Sequence, residues 1–135
     1  MSITKTTING YKETLRGAKE GITAVKVGTK NQMLDEIMNL EKIKETLIFT
    51  YFQLLFDLSQ LNTKYDLYKS TAMGLPEIKS LKSQVQRELA MQADYPDYNL
   101  IAELKVLEGI YDKLIKSITQ KQKIYELYSL NHTGI

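Results

Sequence analysis

The sequence has no cysteine in its 135 residues, which excludes a disulfide framework, a thiolate metal site and a cysteine nucleophile. It has one histidine, His132, close to the C-terminal end and outside any His-Glu-x-x-His or Glu-x-x-His context. A metal centre inside a helical bundle therefore has no imidazole to draw on. Long apolar runs are missing as well. The richest, Leu47 to Leu58 (LIFTYFQLLFDL), has 12 residues, where a membrane-spanning helix needs roughly 20. The opening MSITKTTINGYKE lacks a continuous apolar core, so no secretory signal is expected there. No β-hairpin signal follows residue 30, and there is no tandem repeat. These absences lead us to expect a chain without a membrane span, cytoplasmic or virion-associated.

Apolar residues make up 43% of the chain and charged residues 25%. That balance belongs to a packed globular domain and not to a disordered one. The length suits a single domain with an arm. The net charge is only +2, but residues 1–30 hold Lys5, Lys12, Arg16, Lys19, Lys26 and Lys30 against Glu13 and Glu20. The division expected is a basic, Gly- and Thr-containing arm over residues 1–30 and a faintly acidic helical bundle domain over residues 31–135.

Periodicity defines the bundle. In the arm, Tyr11, Leu15, Ala18, Ile22 and Val25 follow a 4-3-4-3 spacing that fits one helix face. Gly17 and Gly21 oppose it, each costing about 1 kcal/mol relative to Ala inside a helix, so the arm is expected to be flexible or partly helical. The spacing of Gly10, Gly17, Gly21 and Gly28 would admit a second backbone at close range. Asn31 is the expected cap of a long helix whose 4-3 walk runs through Met33, Ile37, Leu40, Lys44, Leu47, Tyr51, Leu54, Leu58, Leu61, Tyr65, Tyr68 and Ala72. Such spacing is of the coiled-coil kind. Phe49, Phe52, Leu55 and Phe56 add apolar surface off that stripe, so the middle of this helix should be covered on more than one side.

Met73-Gly74-Leu75-Pro76 reads as a stop and restart. A second helix is expected over about 76–93, with Ile78, Leu81, Val85 and Leu89 on one face and Lys, Ser, Gln and Arg on the other. Asp94 to Asn99, with Pro96 inside, forms the next break. A third helix over about 99–130 repeats the walk through Leu100, Leu104, Leu107, Tyr111, Leu114, Ile118, Lys121, Tyr125 and Tyr128. The fold class expected is all-α, an elongated antiparallel bundle of three main helices at about 32–72, 76–93 and 99–130.

The three lengths, roughly 60, 28 and 48 Å at 1.5 Å per residue, do not match. If each helix folds back on its predecessor, the stripes Met33 to Tyr51 and Ile118 to Tyr128 lack an intrachain cover. A continuous apolar stripe is rarely left bare on a monomer. Met33, Ile37, Leu40, Leu47, Tyr51, Ile118, Tyr125 and Tyr128 are therefore the expected interface residues, with Tyr65 and Tyr68 as further phenols at a helix end. Lys44 and Lys121, alone in their stripes, either fix register or run out to the rim.

Chemistry-bearing patterns are few. Glu41 with Glu45, and Glu108 with Asp112, could hold a hard cation only if a second pair faced them; otherwise they are solvated helix faces. Asp94 and Asp97 read as turn and cap residues, and Val27-Gly28-Thr29-Lys30 lacks the spacing of a phosphate loop. No cofactor, metal or small-molecule substrate is expected, and no acid–base or nucleophile constellation supports an enzyme. The function expected is a non-enzymatic structural or adaptor subunit: a homo-oligomer or a component of a larger particle, such as a phage or bacterial assembly. A second reading is nucleic-acid association through Lys5, Lys12, Arg16 and Lys19 of the arm and Lys79, Lys82 and Arg87 of the middle helix.

Overall fold

A computed structural model describes residues 3–23 and 28–131. Five helices follow in order: α1 (Lys5–Thr23), α2 (Lys30–Ala72), α3 (Pro76–Lys79), α4 (Gln84–Asp94) and α5 (Tyr98–Asn131). No strand occurs among the described residues, and the fold is all-α. The expected reach of the first helix to Val25, the charge of Lys26, and the end at His132 to Ile135 lie outside them.

The two long helices form an antiparallel hairpin. Tyr65 meets Tyr98 at one end (ring centroids 5.3 Å apart), Tyr51 stacks on Tyr111 in the middle (6.3 Å), and Lys44 Nζ donates to Gln122 Oε1 near the other end (2.9 Å). This overturns the expected order of folding back. The partner of α2 is α5, not the middle segment, and at about 51 Å it lies along most of the roughly 64 Å of α2. The Met33 to Tyr51 stripe consequently faces a cover within its own chain.

The arm is a 19-residue helix that closes the third side of the core. Ile8, Tyr11 and Leu15 are buried, with Ile3, Ala18 and Ile22 packed against the same cluster. Tyr11 Oη donates to Asp57 Oδ2 (2.5 Å), and a Cβ on Gly21 would stand 3.1 Å from Ile43 Cδ1. Thus α1 runs antiparallel to α2, and so in the same direction as α5. Its amphipathic spacing wins over its glycines because the apolar face is buried between two long helices, which propensity alone does not count. Among the described glycines, only Gly21 serves a close approach; Gly10 and Gly17 face open space.

Caps explain two further departures. Helix α2 begins at Lys30 and not after Asn31, because Thr29 and Gln32 form a capping box. The Thr29 hydroxyl accepts from the Gln32 N–H (3.1 Å), and Gln32 Oε1 accepts from the N–H groups of Thr29 (3.0 Å) and Gly28 (2.8 Å). Three donors that the helix cannot satisfy are thereby satisfied. The expected single helix over 76–93 is two helices. Pro76 opens α3, but a second capping box at Ser83 and Gln86 starts α4 afresh, and Arg87 Nη1 donates to the Leu81 carbonyl across the break (2.8 Å).

The break also redistributes the middle stripe. Ile78 is buried with Ala72 and Met91 in a small second cluster, while Val85 and Leu89 are exposed. Together α3 and α4 close the end of the hairpin, where Tyr65 gathers Tyr68, Tyr95 and Tyr98 around it. The Tyr65 hydroxyl donates to Glu88 Oε1 (3.1 Å), and Lys69 Nζ sits 4.8 Å from the Tyr65 ring centroid.

Candidate docking surfaces

The expected interface residues fall into three environments. Leu40, Leu47 and Ile118 are at most 1% exposed and belong to the core formed by α1, α2 and α5. Met33, Ile37, Tyr51 and Tyr125 are half-buried on the α2–α5 seam, and Tyr128 is exposed. Tyr65 is buried and Tyr68 half-buried in the aromatic cluster at the closed end.

A polar layer crosses the open half of the hairpin. Gln122 is buried; its amide donates to Glu41 Oε2 (2.8 Å) and to the Ile37 carbonyl (3.3 Å), and Lys44 lies 3.3 Å from the same carboxylate. The Gln122 hydrogen bond first, and that of Lys44 second, hold the Glu41 carboxyl below its ordinary range. Lys44 is therefore neither isolated in an apolar stripe nor free at the rim. Its partner sits one residue beyond Lys121, the position the 4-3 walk picks out. A straight helix drifts about 20° per heptad against a strict 3.5-residue repeat, so the inward positions of α5 pass from Ile118 to Gln122 and Ser129.

A second core polar contact joins α1 to both long helices. Besides Tyr11 with Asp57, the Tyr111 hydroxyl donates to the Tyr11 carbonyl (2.7 Å). Burial pushes the Tyr111 phenol up to about 12. Burial, then the hydrogen bond and charge of Asp57, raise Tyr11 further.

No cluster of three or more His, Cys, Asp or Glu occurs among the described residues. Glu41 is committed to Gln122 and Lys44, Asp112 pairs with Lys116 (2.9 Å), and Asp94 and Asp97 are exposed at their turn. No described helix is long and apolar enough to cross a membrane.

The cations singled out in the sequence divide into two groups. Lys5, Lys12, Arg16 and Lys19 are exposed on α1 and lie within about 60° of one another on the helix. Lys12, Arg16 and Lys19 form one wall of a groove of about 550 Å³ against Val106 and Ile110 of α5. Arg16 is also paired with Glu13 and with Glu20 (2.5 Å), both exposed. Lys79, Lys82 and Arg87 are not gathered on one helix: they sit on α3, on the linker and on α4.

An apolar surface lies where sequence patterning expected cover. Phe49, Phe52 and Phe56 are 68%, 63% and 63% exposed, although Leu47, Leu54 and Leu58 between and beside them are buried. The expectation that this stretch is covered on more than one side is therefore corrected. Both covering helices lie on the same side, because the leucines face α1 and α5 while the phenylalanines point the other way. Leu34, Met38 and Leu67, also exposed, join them within about 60° on the helix surface. The signal was readable as a second heptad-like stripe, Met38, Glu45, Phe49, Phe52, Phe56, Thr63 and Leu67, displaced by half a turn from the first.

No family model matches the chain, and neither a curated protein nor a solved structure shows significant similarity to it.

Proposed function

We propose that this protein is a non-catalytic helical subunit that works by protein–protein assembly, docking through the outer face of α2. The observation that carries this reading is that all three phenylalanines of the sequence are exposed together, on the side of α2 turned away from the core. Scattered apolar residues on a surface are ordinary, but an aromatic stripe bounded by polar residues marks an interaction site. The inner side of α2 is packed against α1 and α5, so little ordering entropy opposes docking.

The test compares the native mass of the complex recovered from the source with the wild-type chain and with a Phe49→Ser, Phe52→Ser, Phe56→Ser variant. The variant should keep the helical circular dichroism of the wild type, because none of the three side chains fills the core, yet lose the assembly. Unchanged assembly mass in a folded variant would remove the proposal.

A second reading has one observation in its favour: the four cations of α1 share one exposed face. An anionic partner, nucleic acid included, would be bound there with strong salt dependence. Affinity for single- and double-stranded DNA and RNA at 50 and 200 mM salt tests it. Binding that is absent at the lower salt removes this reading.

A further inference from the structure

Resting on the docking reading above, we propose that the occupant of the outer face of α2 is the same face of a second copy, lying antiparallel across a two-fold axis near Phe52. A face that pairs with itself across such an axis must read compatibly from both ends, and this one does. With the axis beside Phe52, Phe49 of one copy comes level with Phe56 of the other, and Met38 with Leu67. A parallel arrangement would instead bring Met38 against Met38 and Leu67 against Leu67.

The area is sufficient. Three phenylalanines of 150–250 Å² each, about two-thirds exposed, with Met38 and Leu67 beside them, offer on the order of 600 Å² per copy and 1,200 Å² across the pair, the lower bound of standard interfaces. The surface carries aromatic anchors at its centre, the arrangement that concentrates binding energy in the middle.

The absence of cysteine allows a clean test. Met38→Cys and Leu67→Cys are made separately in the full chain, mixed and mildly oxidised, and the wild type is weighed by sedimentation at 5–100 µM. The expected results are a wild-type mass of twice 15.5 kDa and a disulfide-linked dimer in the mixture but in neither variant alone. Phe52→Glu should dissociate the dimer at least tenfold more readily while its circular dichroism stays that of the wild type. Met38→Cys cross-linking to itself, or a monomeric wild type at 100 µM, overturns the inference. A monomeric wild type whose assembly mass in the source still depends on the three phenylalanines defeats the second copy alone; a monomer whose assembly mass does not defeats the docking reading too.

Discussion

Tyr11, Asp57 and Tyr111 show how one phenol can serve two purposes in a core: the rings fill space and the hydroxyls tie α1 to α2 and α5. Because burial raises the Tyr111 phenol to about 12, while the unfolded chain titrates near 10, the folded state retains a proton that the unfolded state releases. The resulting stability is fully present below pH 10 and is lost as pH rises toward 12. The urea midpoint should stay level between pH 7 and 9 and then fall, with each such phenol adding up to about 1.4 kcal/mol per pH unit to the decline. Tyr111→Phe should lower stability by about 1 kcal/mol at pH 7 and make the alkaline fall shallower; an unchanged fall would mean that other groups govern it.

The helices show which local signals decide and which yield to packing. In α1 the cations and glycines invite a reading as a flexible arm, but Ile8, Tyr11 and Leu15 bury its inner face. Gly10 and Gly17 gain nothing from packing, since a Cβ at either meets open space. Gly10→Ala and Gly17→Ala should each stabilise by roughly 0.5–1 kcal/mol in thermal or urea unfolding, whereas Gly21→Ala should gain less, or lose, because Ile43 must give way. Much of this architecture was legible in the sequence. The stripe from Leu40 to Ala72 and the breaks around Gly74 and Pro96 follow from periodicity and backbone chemistry. The split at Ser83 was present as a Ser-x-x-Gln capping pattern, overshadowed by the apolar spacing of Ile78, Leu81, Val85 and Leu89. The inward position of Gln122 was hidden by a one-residue drift that a strict 4-3 walk cannot follow.

At the scale of the molecule, chain lengths alone misdirected the topology. Placing each helix against its predecessor leaves the stripe of α2 bare, whereas the 25-residue connection containing α3 and α4 caps one end and lets α5 return along α2. The core stripe is then satisfied within the chain, and the apolar stripe left exposed is the opposite one, with Leu34, Met38, Phe49, Phe52, Phe56 and Leu67. The outer stripe is interrupted by Glu45 and Thr63, but its three phenylalanines give it apolar weight of its own, and the position of α1 and α5 decides which stripe is inside. Since all three phenylalanines lie on the outer face, uniform labelling with fluorophenylalanine places a probe only where docking is proposed. The central claim is tested most directly by the fluorine spectrum of the labelled protein on dilution from 200 to 1 µM. Three resonances that move together, with one midpoint, toward solvent-exposed values are predicted; three sharp, solvent-exposed lines unchanged over that range, and unchanged again in the complex recovered from the source, would contradict it.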